Sequence, residues 1–158
     1  MPKSKNAILF IILFLLIFSI SAAYFIEHGL GYKPCKLCLY QRMPYFFSII
    51  LILNILFIKK FTKITLLILC LTFVGSTILA FYHFGIEQGF FNESFLCKDS
   101  LENLSKDELL KELQKINVSC KDVNFRILGL SIATINAIFS FCLSAIFIKL
   151  FNNYEKNR

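Results

Sequence analysis

Cys35-Lys36-Leu37-Cys38-Leu39-Tyr40-Gln41-Arg42 sets two thiols three residues apart at the mouth of an apolar run, with an arginine four residues past the second. Pro34 stands just before this stretch, and beyond Pro44 the chain runs uncharged from Tyr45 to Ile58. The run is read as a membrane-spanning helix covering about 38–58, near the length of roughly 20 residues that a bilayer requires. On a helix, positions 35 and 38 share a face, and so do 38 and 42. A dithiol cycles between thiol and disulfide, and a nearby cation favours the reactive thiolate. An arginine at the edge of a hydrocarbon layer can also hold a polar oxygen of a ligand.

Composition supports the membrane reading. The 158 residues are 57% hydrophobic and 17% charged, with 19 phenylalanines and a mean hydropathy of +0.68. A soluble domain sits nearer half apolar, with about a quarter of its residues charged. The net charge of +7 does not point to nucleic acid, because the bases sit mostly at the ends of apolar runs and form no patch. The length suits one compact bundle, a single membrane domain over 1–158.

Working outward from the motif, Ala7–Ile26 is a second uncharged run, read as a retained span because it exceeds a signal-peptide core. The rival is a signal peptide cleaved near Ser21-Ala22-Ala23. Glu27–Pro34 reads as a loop broken by Gly29, Gly31 and Pro34. The third and fourth spans fall at Ile64–Phe84 and Ile127–Ile148, with a long polar loop over 85–125 between them. The fold class predicted is therefore all-α, a four-helix membrane bundle. Within the loop, Ser105 and Glu108 form a capping box, and Leu109, Leu113 and Ile116 predict a short amphipathic helix lying on the membrane surface. In the fourth segment, Gly129, Ala133, Ala137, Ser140 and Ser144 make a stripe of small side chains suited to close helix packing, with Gly75-Ser76 as its counterpart.

Four spans put both termini on one side, with Lys3, Lys5, Lys59, Lys60, Lys63, Lys149, Lys156 and Arg158. These eight of the 17 bases crowd into short segments, which places that side in the cytoplasm and the motif and long loop outside. Four of the six cysteines, Cys35, Cys38, Cys97 and Cys120, then face outward, where an oxidising compartment lets two pairs form disulfides. Cys70 and Cys142 fall inside spans and read as packing residues. The Cys35/Cys38 spacing favours redox work over a structural clasp. Cys97/Cys120 fits a loop staple almost as well, and four outward thiols could in principle hold zinc. Position alone assigns no role to His28 or His83. Arg42 either snorkels to the interface or serves a ligand, and its register with Cys38 favours the ligand.

Several motifs together resemble the disulfide bond formation protein B (DsbB) family. They are Cys35-x-x-Cys38-x-x-Gln41-Arg42, Tyr82-His83-x-Gly85-x-Glu87 and Leu128-Gly129-Leu130-Ser131, with a second cysteine pair between spans three and four. The related vitamin K epoxide reductase-like proteins carry their loop cysteines before the Cys-x-x-Cys, whereas here they follow it. The resemblance implies a bacterial inner-membrane thiol:quinone oxidoreductase with disulfides Cys35–Cys38 and Cys97–Cys120. A periplasmic DsbA-like thioredoxin-fold protein would be reoxidised at Cys97. Electrons would pass from the outer pair to Cys35/Cys38, with Cys38 facing ubiquinone or menaquinone as a thiolate and Arg42 stabilising the bound quinone. Other classes remain: a non-enzymatic four-span protein with inert staples, the outer zinc site, and a reverse conduit that only Cys70 and Cys142 could serve.

Overall fold

The computed structural model describes residues 3–58, 61–92, 120, 126–127 and 129–156. Four long helices make up most of it: α1 (Lys3–Tyr24), α2 (Lys36–Phe57), α3 (Thr62–Glu87) and α4 (Ile132–Lys156). All four are long and apolar enough to cross a membrane, as the sequence predicts. At about 1.5 Å per residue, each covers the roughly 30 Å hydrocarbon layer. Cys97 and the helix expected over 105–116 lie outside the described residues.

The helix ends depart from the sequence reading. The chain does not turn into a loop at Glu27; it continues as one π-helical turn, Phe25–Gly29, in which the Leu30 N–H donates to the Phe25 carbonyl at 3.2 Å. Helix α2 begins at Lys36 with Cys35 as its N-cap, in extended backbone, and the Cys35 sulfur accepts the Cys38 N–H at 3.3 Å. Pro44 lies inside α2, as it does in the span read from sequence, a placement that membrane helices tolerate. Helix α3 runs past Phe84 to Glu87, so His83 and Glu87 are one helical turn apart on the same face. Before α4, two residues on each side pair antiparallel as β1 (Arg126–Ile127) and β2 (Leu130–Ser131). Their turn holds Gly129 at φ +83°, where a side chain would be strained.

The main core joins Leu9, Ile12 and Leu16 of α1 to Tyr45 and Ile52 of α2, Leu66, Leu69 and Phe73 of α3, and Leu143 and Phe147 of α4. The Phe73 and Phe147 rings stack at 5.1 Å. The stripe of small residues works as expected at Ala133, Ala137, Ser140 and Ser144, all buried, with Ser76 Oγ 3.2 Å from Ser140 Oγ. Gly129 sits in the turn and Gly75 faces outward, so neither belongs to it. Cys70 packs in the core, whereas Cys142 lies on the outer face of the bundle. Phe10, Phe14, Phe18, Ile50 and Ile78 are exposed on the outer face, where lipid is their natural solvent. A second, smaller cluster of Cys35, Leu37, Ile86 and Cys120, edged by Cys38, Leu79 and Tyr82, closes the end of the bundle that carries the motif.

Candidate functional site

The site grows from the N-terminus of α2. Pro34 and the extended Cys35 end the preceding segment, and the first turn of α2 folds Cys38 back over Cys35. The two sulfurs stand 2.7 Å apart without a bond between them, and closing them to the disulfide length of about 2.05 Å takes a shift of well under 1 Å. Three donors converge on the Cys35 sulfur: the Cys38 thiol, His83 Nε2 at 3.6 Å and the Cys38 backbone N–H. The Cys38 thiol, with help from His83, holds the Cys35 thiol down to about 5, against burial, which pushes it up. Cys35 is thus the thiolate of the reduced pair, at a helix N-terminus that favours negative charge.

Behind His83 lies a chain of side-chain hydrogen bonds that links three helices. Gln41 Nε2 donates to His83 Nδ1 at 3.1 Å, which leaves the ring proton on Nε2, toward Cys35. Asn136 Nδ2 donates to Gln41 Oε1 at 2.7 Å, and the Tyr45 hydroxyl donates to Asn136 Oδ1. Tyr45 also meets Ser140 Oγ at 3.1 Å. On the other side of His83, Glu87 Oε1 lies 4.0 Å from Nε2, and Glu87 Oε2 accepts from Ser131, which also caps the first turn of α4 at the Thr134 N–H. Arg42 is tied at Nη1 to Glu27 at 2.5 Å, and its guanidinium lies over the Tyr24 ring at 5.1 Å.

Many of these groups border one cavity of about 400 Å³, with Cys35, Cys38, Cys120, His83, Gln41 and Arg42 at its polar end and Phe18, Ala22, Ile26 and Phe139 among its apolar walls. Cys120 is buried and disulfide-bonded, and it packs in the same cluster as Cys35. The structure therefore brings Cys35, Cys38, Cys120 and Arg42 to one place.

A family model described as disulfide bond formation protein DsbB matches residues 5–150. The chain belongs to the DsbB family. Among curated relatives, it is 32% identical over 145 residues to an uncharacterised protein of Rickettsia prowazekii (strain Madrid E), covering 89% of this chain and 84% of that one. It is 27% identical over 154 residues to a disulfide bond formation protein B of Histophilus somni (strain 129Pt), covering 87% and 83%. Membership makes the chain a multi-pass inner-membrane oxidoreductase of disulfide bond formation.

The DsbB motifs gain physical reasons from the site. Gly85 is small because a Cβ there would come within 2.4 Å of the Phe91 ring, which packs on Tyr82 at 5.6 Å. His83, given no role from sequence position, is 2% exposed and stands between Cys35 and Gln41. Tyr45, Asn136 and Glu27 were given no role from the sequence, and Ser131 entered only as the last residue of a family motif. A signal did exist for Asn136, a lone amide within a span, since amides in hydrocarbon bond across helices or serve a site.

Proposed function

We propose that this protein reoxidises a periplasmic DsbA-like thioredoxin-fold dithiol protein and passes the electrons to a membrane quinone. The observation that carries this reading is the shared wall of the cavity: a disulfide-bonded outer cysteine, Cys120, meets the Cys35/Cys38 dithiol beside a largely apolar pocket.

The chemistry is a relay of thiol–disulfide exchanges. The donor's thiolate attacks Cys97 of a Cys97–Cys120 disulfide, forming a mixed disulfide and releasing Cys120. The donor's second thiol resolves that bond, which leaves the donor oxidised and the outer pair reduced. Cys120 then attacks Cys35 of the Cys35–Cys38 disulfide, and Cys38 leaves as the thiolate bordering the cavity. Cys97 next attacks Cys120, which expels Cys35, reforms the outer disulfide and leaves both electrons on the inner pair. Cys120 packs in one cluster with Cys35, which Cys38 edges, and this supports exchange between the outer and inner pairs.

The pocket fits a quinone: its walls are apolar along one flank, and Arg42 and Gln41 carry N–H donors at the other. A bound quinone supplies the acceptor for two electrons and two protons, and ubiquinone and menaquinone both suit the pocket's chemistry. Arg42, with Glu27 and Tyr24 fixing its guanidinium, presents positive charge to a ligand oxygen. His83 holds a proton at Nε2 against the Cys35 sulfur, where it stabilises the thiolate. The bases clustered at the termini and the connector between the second and third spans put these ends in the cytoplasm, and the redox cysteines in the periplasm.

The test is quinone reduction by purified protein, followed by absorbance, with a reduced periplasmic thioredoxin-fold protein as donor. Turnover that is lost in both Cys38→Ser and Cys97→Ser is the expected result. Folded protein that turns over no quinone with any such donor would return the outer cysteines to a structural role.

A further inference from the structure

Cys35 Sγ, Cys38 Sγ and His83 Nε2 all lie within 4.8 Å of one another at the buried mouth of the bundle. Two thiols and an imidazole converging on one point form a donor set for a soft or borderline transition-metal ion. We propose that the reduced Cys35/Cys38 pair and His83 make a binding site for a thiophilic ion of the zinc type. The site exists only while the pair is a dithiol. It differs from a site of four outward cysteines, since neither Cys97 nor Cys120 takes part.

The distances suit such an ion. Bonds of about 2.3 Å to sulfur and about 2.0–2.1 Å to nitrogen, at tetrahedral angles, set S···N near 3.6 Å and S···S near 3.8 Å. Cys35 Sγ and His83 Nε2 are already 3.6 Å apart. The sulfurs, at 2.7 Å, must open by about 1 Å, a side-chain rotation open to Cys38 because it is only partly buried and borders the cavity. Glu87, with Oε1 4.0 Å from Nε2, adds negative charge beside the ion.

Coordination through Nε2 requires the ring proton to sit on Nδ1, the reverse of the metal-free arrangement. The network behind His83 can invert without losing a bond. If Gln41 turns its amide over, Oε1 accepts from Nδ1 and Nε2 faces Asn136. If Asn136 turns likewise, its Oδ1 accepts from Gln41, and its Nδ2 donates to the Tyr45 hydroxyl, which can both accept and donate. The result is the usual companion of a metal-bound histidine, a carbonyl oxygen on the far ring nitrogen. Binding displaces the thiol protons, and oxidation of the pair to a disulfide removes both thiolates and expels the ion. A metal-loaded pair is thereby held reduced, and the ion competes with passage of electrons out of the pair. This goes beyond the oxidase reading and needs only the geometry and thiol chemistry.

Cobalt(II) is the probe. Full-length Cys97→Ser/Cys120→Ser protein, reduced and freed of reductant without oxygen, is expected to bind one Co²⁺ per chain. Binding should give a thiolate-to-cobalt band in the near ultraviolet and visible bands of a four-coordinate site, both abolished by added Zn²⁺. The same protein oxidised should bind none, and His83→Ala or His83→Gln should weaken binding roughly tenfold or more and alter the visible bands. Reduced, folded protein that binds no Co²⁺, binds it equally when oxidised, or binds it with unchanged spectrum in both His83 variants would overturn the proposal. If neither His83 variant folds, the comparison of reduced with oxidised protein decides alone.

Discussion

Cys35 is the residue on which the local physics converges. It caps α2, so its sulfur meets the positive end of a 22-residue helix, and the Cys38 thiol and His83 both point hydrogen toward it. Its thiol is held near 5, so it stays ionised from mild acid upward and becomes protonated only as pH falls through that value. In reduced, chelator-treated protein, alkylation of Cys35 followed by peptide mass should rise through a midpoint near 5 and then level off. Removing the Nε2 donor with His83→Ala should move that midpoint upward, and an unchanged midpoint would remove His83 from the site. Ser48 makes the opposite case: its hydroxyl is fully buried and, among the described residues, has no hydrogen-bond partner. Ser48→Ala should therefore leave stability unchanged or raise it by about 1 kcal/mol, read from thermal unfolding in detergent.

At the scale of helices, the sequence reveals the spans but not their working ends. A bilayer enforces long uncharged runs, so Ala7–Ile26 and Tyr45–Ile58 declare themselves. The functional helix ends carry polar residues, which lower hydropathy and draw the apparent boundary inward. Thus α3 continues through His83 to Glu87, although the apolar run stops at Phe84. Cys35 and Cys38 read as two positions on one helical face, whereas Cys35 is a cap, a distinction that depends on backbone angles and not on spacing. Long-range partners were still less legible. Nothing local links Asn136 to Gln41, yet their bond ties α4 to α2. Asn136→Leu strands Gln41 Oε1 and takes away the Tyr45 acceptor. It should cost about 1–2 kcal/mol in unfolding experiments and also slow Cys35 alkylation near pH 5, because Gln41 then no longer orients the imidazole.

For the whole molecule, the proposed function asks the architecture to join two kinds of substrate at one end of the helix bundle. In the proposed reading, a soluble protein is met outside the bilayer and a lipid-dissolved acceptor within it, and Cys120 and the Cys35/Cys38 pair border the same cavity between the helices. The proposed function puts Arg42 on the acceptor side. Arg42→Leu should raise KM for quinone roughly tenfold or more, in line with loss of a charged hydrogen bond worth about 1.5–3 kcal/mol, and leave exchange between the donor protein and the outer pair intact. Saturation kinetics in quinone and a stopped-flow donor assay separate these effects. The family and the general site are legible in the motifs, because cysteine spacing and the flanking arginine survive as a linear pattern. Glu27, which fixes Arg42 across from another helix, does not.

The proposed route from the outer pair to the inner one rests on Cys120 and Cys35 packing in one cluster. It is tested most directly in Cys38→Ser/Cys97→Ser protein, which keeps only those two cysteines at the site. After mild oxidation, non-reducing peptide mapping should recover a Cys35–Cys120 disulfide in nearly every folded molecule. Recovery of both residues as freely alkylatable thiols, in folded protein, would contradict the route.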